Sequence, residues 1–120
     1  MHGKKPELVF ASAARTATLS ATMPCEATEG LFFIDATAAS ATPSVVFTII
    51  GVSPSGTEYT ILTSAAITGV GLTVLRISPQ LTASANVIAK DMLPAAIKVT
   101  ATHSDADSIT YSVYFVGMGT

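Results

Sequence analysis

Apolar and polar side chains alternate along much of this chain with a period of two, the mark of strands that bury one face. In 97–102, Ile97, Val99 and Ala101 fall on one side while Lys98, Thr100 and Thr102 fall on the other. In 109–115, Ile109, Tyr111, Val113 and Phe115 share a face opposite Thr110, Ser112 and Tyr114. In 73–77, Leu75 and Ile77 flank an outward Arg76. One-sided strands of this kind are antiparallel and half-buried. Segments rich in Val, Ile, Thr, Tyr and Phe recur at 30–37, 44–52, 57–64, 72–78, 96–103 and 109–116. Their spacing of roughly 8–12 residues is that of a sandwich or barrel.

The punctuation agrees with the pattern. "SPSG" (53–56) presets one turn position with proline and closes with glycine, which predicts a hairpin between 44–52 and 57–64. "TGVG" (68–71) separates the next pair, and Pro43 in "SATP" (40–43) holds Thr42 extended before the following strand. The segment "LTASANVIAKDMLP" (81–94) breaks the alternation, places Leu81, Ala85 and Ile88 near one helical face, and ends at Pro94. It predicts a long crossover carrying one helical turn between two sheets, which a sandwich needs and a simple meander does not.

Residues 1–29 are rich in Ala, Ser and Thr, contain Pro6 and Pro24, and alternate less clearly. The whole pattern predicts an all-β fold: one antiparallel β-sandwich, Ig-like or jelly-roll-like, over 30–120, preceded by an extended N-terminal arm or edge strand over 1–29. "ELVFASAART" (7–16) is the strand-like part of that arm. Its Leu8, Val9, Phe10 and Arg15 are the expected inter-subunit contact, by strand addition to a neighbour's edge. The alternative is an ordinary first strand of the protein's own sheet.

Composition changes the picture in one respect. Hydrophobic residues make up 49% of the 120 and charged residues only 12%, about half the ~25% usual for soluble domains. No window approaches the ~20 consecutive apolar residues of a membrane helix. A charge-poor domain of this kind keeps its surface quiet by burying it against other copies or a larger assembly. Net charge is −2, and the basic residues Lys4, Lys5, Arg15, Arg76, Lys90 and Lys98 are scattered. That leaves no footprint for nucleic acid or an anionic membrane. The single Cys25 allows neither a disulfide framework nor a multi-cysteine zinc site. The N-terminus has a basic start, but the apolar run Leu8-Val9-Phe10 is too short for the core of a secretion signal.

The stretch that most resembles chemistry is "THSDADS" (102–108), with His103, Asp105 and Asp107 at alternate positions. A calcium loop wants more carboxylates and a glycine at its sharp turn, and a zinc site wants more histidines. His2 is the one other histidine. The simpler reading is a turn in which Asp105 or Asp107 hydrogen-bonds backbone two residues on. No "GxSxG" elbow accompanies His103. The carboxylates Glu7, Glu26, Glu29, Glu58, Asp35 and Asp91 are a thin supply for paired acid–base work. The pairs Gly69/Gly71 and Gly117/Gly119 do not stand between a strand and a long helix, as a phosphate loop requires. No enzyme activity, cofactor or metal is expected. A glycan platform would have to come from Tyr59, Tyr114 and Phe32, since there is no Trp.

The run from Val45 to Val113 resembles a widespread family of small structural proteins of tailed-bacteriophage virions. The resemblance rests on "VVFTIIG", "YTILTSAAIT", "GLTVLRISPQLTASANVIAKDMLP" and "THSDADSITYSV", in that order, with "ASAARTAT" (11–18) as lead-in. Members of the family stop soon after "ITYSV", whereas here "YFVGMGT" continues. The resemblance implies a non-enzymatic virion protein made in the host cytoplasm, most plausibly on the outer surface of the capsid. There it would bind the major capsid protein or other virion proteins and bridge subunits as a cement. A homo-oligomer is expected, a trimer above others, because linked weak contacts multiply. The alternatives are a tail or head–tail connector component, and a host-surface or glycan-binding module.

Overall fold

The computed structural model of the protein describes residues 6–118. Among them the strands are β1 (Pro6–Arg15), β2 (Leu19–Pro24), β3 (Glu29–Ala39), β4 (Val45–Val52), β5 (Glu58–Thr63), β6 (Gly71–Ile77), β7 (Ile88–Ala89), β8 (Ala96–His103) and β9 (Ile109–Met118), with no helix. They form one sheet in the order β1-β9-β3-β6-β7 and a second in the order β2-β8-β4-β5. The inner faces of the two sheets enclose a single core.

The pairing has a simple logic. β4 pairs with β5, β3 with β6, β2 with β8 and β1 with β9. The chain is therefore one long hairpin with its tip at "SPSG", rolled over so that β3 also meets β9 and β4 also meets β8. That is the strand order of a double-sheet jelly roll, and it resolves the sandwich class that alternation alone left open. The tip is closed by Ser53, which accepts from the amide of Gly56 and donates its own to the Thr57 carbonyl, while its Oγ accepts from the Thr57 amide.

Alternation places the inner face as the sequence predicts. Ile97, Val99, Ala101, Ile109, Tyr111, Val113, Phe115, Leu75 and Ile77 are buried. The ring of Phe47 meets Tyr111 edge-on with centroids 5.1 Å apart, and Phe32 lies 4.8 Å from Phe115. Each large side chain so enclosed contributes about 1.5–3 kcal/mol. Gly30 lies opposite Gly117 and under the Phe115 ring, into which a Cβ at Gly30 would run.

Two expectations change. Residues 81–94 carry no helical turn: Asn86 takes a left-handed conformation (φ 66°), and the amides of Val87 and Ile88 both reach back to the Ser84 carbonyl. The Asn86 side chain donates to the Thr63 carbonyl at 2.9 Å, which fixes this turn beside β5. The strand that follows, β7, runs parallel to β6, so the first sheet is not wholly antiparallel. Of the two readings of the N-terminal segment, arm or edge strand, residues 6–24 take the second. β1 closes the first sheet against β9 and β2 closes the second against β8, because a rolled hairpin needs its outermost strand to cover the last one. At the other end of the chain β9 continues to Met118, pairing with Glu29 there.

Candidate interaction surface

The polar stretch 103–108 closes the loop between β8 and β9. The amide of Asp107 donates to the Asp105 carboxylate at 3.1 Å, the local turn that the sequence suggested. Asp107 in turn accepts from the amide and hydroxyl of Thr42, at 3.2 and 3.3 Å, in the β3–β4 loop. The Ser104 amide reaches the Ser44 carbonyl, and the His103 amide reaches Thr18 Oγ1 in the β1–β2 loop. This stretch is a staple for three loops at one end of the barrel-like roll.

His103 turns its ring inward, with Nε2 3.0 Å from the Tyr111 hydroxyl. Burial pushes the His103 pKa below its ordinary value, the Asp105 charge opposes that shift, and Arg15 adds to it. Burial pushes Tyr111 up to about 12, with Arg15 opposing. Arg15 stands 4.9 Å from the Tyr111 ring centre and 5.6 Å from that of Phe10. Its guanidinium donates to the carbonyls of Tyr111 and Ala11. His103 and Asp107 thus serve different partners, and among the described residues no three His, Cys, Asp or Glu side chains converge. His2 lies outside the described residues.

The other candidates disperse as well. Cys25 is buried, its Sγ 3.4 Å from the Ala27 carbonyl, and burial raises its pKa. Glu58 pairs with Lys98 at 3.3 Å, and Glu29 accepts from Ser78 at 2.9 Å. Of the rings considered for a glycan platform, Phe32 is fully buried against Phe115 and offers no exposed face. Tyr59 and Tyr114 are exposed but stand on different sheets.

The expected contact residues of β1 also part company. Phe10 is buried in the chain's own core, Val9 packs at its margin, and Arg15 is engaged with Tyr111. Leu8 is the exception, 53% exposed. Bulges between Leu8 and Phe10 and between Phe10 and Ala13 distort the free edge of β1, a device that discourages strand addition.

Leu8 belongs to a feature that the alternation hid. Residues directly opposite each other in antiparallel strands share a face. Leu8 lies opposite Tyr114, Tyr114 opposite Phe33, and Phe33 opposite Val74, an apolar row across four strands. Alongside it run Pro6, Val116 and Leu31, ending at Arg76, and on the other flank Ser112, Asp35 and Leu72. All point away from the core, and Leu72 and Tyr114 are 62% and 41% exposed. The outer face of the second sheet contrasts with it: one row there reads Ser20, Thr100, Thr48 and Thr63. The uninterrupted run "GLFFI" at 30–34 was the sequence signal, since a strand apolar on both faces expects cover on both.

Neither protein-family profiles nor curated proteins match the chain, so the phage family resemblance gains no support from them. One solved structure, of infectious bursal disease virus Gx strain, aligns with 93% of this chain at 12% identity and a TM-score of 0.39. This chain spans 31% of that one, and a likeness so weak carries no argument about fold or function.

Proposed function

We propose that this protein is a non-enzymatic virion structural protein that decorates the outside of a capsid and ties neighbouring subunits together. The observation that supports the reading best is the strand order, because the jelly roll is an architecture used by viral capsid domains. That is an analogy of fold, which by itself does not fix function. The sequence resemblance adds the virion and the phage, and its segments lie in order on β4 to β9. The part of that resemblance most suggestive of chemistry, His103 to Asp107, is occupied in joining loops and sheets. A cement protein acts by mass action: it binds the assembled lattice and not the separate subunits, and so stabilises the lattice.

The test is co-sedimentation of the purified protein with undecorated phage capsids, followed by heating of decorated and bare particles. Saturable binding and a raised disruption temperature are expected. Binding to tails in place of capsids would move the protein to the tail or connector. Binding to glycans with no affinity for particles would replace the virion reading.

A further inference from the structure

We infer that the outer face of the five-stranded sheet packs against the same face of a second copy, about a twofold axis passing between Phe33 and Val74. The inference rests on two charges and their placement, and it is independent of the virion reading.

Phe33 and Val74 are directly paired on the apolar face, at the β3–β6 end of its middle row. Two residues along β3 stands Asp35, and two residues along β6 stands Arg76, displaced in opposite directions from that pair. Both are exposed, and neither makes an ion pair among the described residues. At strand dimensions they stand roughly 14 Å apart, too far to pair with each other within one chain. They are the charged members of three rows otherwise built from Pro6, Leu8, Ser112, Tyr114, Val116, Leu31, Leu72 and the Phe33–Val74 pair, while Glu29, two residues before Leu31 on the same side of β3, accepts from Ser78.

A twofold axis lying in the plane of the interface and bisecting the Asp35–Arg76 line at right angles exchanges the two positions. It sets Asp35 of one copy over Arg76 of the other, and the reverse, with Phe33 and Val74 at the centre. An isologous interface demands this reciprocity, since residue i meets j wherever j meets i. Two stacked sheets about 10 Å apart leave room for these side chains to interdigitate. The face spans four strands and three rows, on the order of 400 Å² in projection per copy. Both copies together then bury on the order of 1,000 Å² of accessible surface, the lower end for a specific interface. The outer face of the second sheet mixes Val46, Ile50 and Val52 with a hydroxyl row of Ser20, Thr100, Thr48 and Thr63, whereas this face carries an apolar row across four strands.

The experiment is sedimentation velocity of the full chain across a concentration series, with circular dichroism confirming that each variant is folded. The wild-type protein is expected to move from monomer to dimer. Asp35→Arg and Arg76→Asp, each placing like charges opposite one another twice, are expected to weaken the dimer by about tenfold or more. The double variant D35R/R76D restores the pairing with its signs exchanged and is expected to recover the dimer. Because both positions are exposed, folding should survive. Leu72→Glu, at a third exposed position, gives an apolar control that is expected to abolish the dimer without rescue. A chain that stays monomeric, an oligomer indifferent to these substitutions, or single variants that the double variant fails to rescue would each overturn the inference.

Discussion

The His103 Nε2 and the Tyr111 hydroxyl lie 3.0 Å apart, joining the end of β8 in one sheet to β9 in the other. Tyr111 is the larger partner of Phe47 in the core, so this bond anchors a central ring to the loop end of the roll. Folding holds the His103 pKa below its ordinary value of 6.5, chiefly through burial. A depressed folded pKa means that the native state favours neutral imidazole. The stability this adds is present above pH 6.5 and is lost as the pH falls from there through the folded value. Stability of the wild-type protein should therefore drop on acidification below about pH 6.5 more steeply than that of His103→Gln. Urea titrations between pH 7.5 and 5 would check it, and parallel curves would remove His103 from the account. Tyr111→Phe, which deletes only the hydroxyl, should cost about 0.5–1.5 kcal/mol at neutral pH.

Two residues of β1, two positions apart, should behave as opposites. Phe10 is 6% exposed and Leu8 is 53% exposed. Phe10→Ala should cost about 3–5 kcal/mol by emptying a core position. Leu8→Ala should change the stability of the isolated chain by no more than about 0.5 kcal/mol. Denaturant unfolding of the two variants distinguishes an intrinsic strand from an arm that folds only on a neighbour. Equal, small effects would restore the arm.

Ser64 is a buried polar residue with a defined task. Its Oγ accepts from the Phe47 amide at 2.9 Å and donates to the Ala65 carbonyl at 2.9 Å. Ser64→Ala leaves a buried amide with no acceptor and should cost about 1–3 kcal/mol. The unfolding midpoint is expected to fall with the m-value unchanged. A neutral result would mean that the β5–β6 loop relaxes to supply another acceptor.

Cys25 should be inert toward thiol reagents in the native protein. It is 7% exposed, and burial, with the charge of Glu7 adding to it, raises the thiol pKa. Both deny a reagent the thiolate it needs. Labelling at neutral pH should proceed at the rate of unfolding and become immediate in denaturant. Rapid labelling of the folded chain would place Cys25 at an accessible site.

Local features were readable without coordinates because they depend on near neighbours in the chain. Ile97, Val99 and Ala101 face inward because their alternation with polar side chains leaves one assignment of faces. The "SPSG" hairpin and the turn of Asp105 onto Asp107 follow from residues a few positions apart. The turn at Asn86 was not legible, because its hold is the Thr63 carbonyl in another strand. Nor was the division between Leu8 and Phe10, since which of them is buried depends on a bulge against β9, about 100 positions further along.

Alternation also fails where both faces are apolar, as at Leu31 to Ile34, because period two then carries no contrast. Only the pairing of β1, β9, β3 and β6 aligned Leu8, Tyr114, Phe33 and Val74 into one row and set Asp35 and Arg76 on either side of it. Where polar and apolar positions alternate, the sequence determined which residues leave water, through a pattern the strand carries by itself. The tertiary structure decided which strands lie side by side, because that order comes from rolling one long hairpin over a shared core, and no single segment contains it.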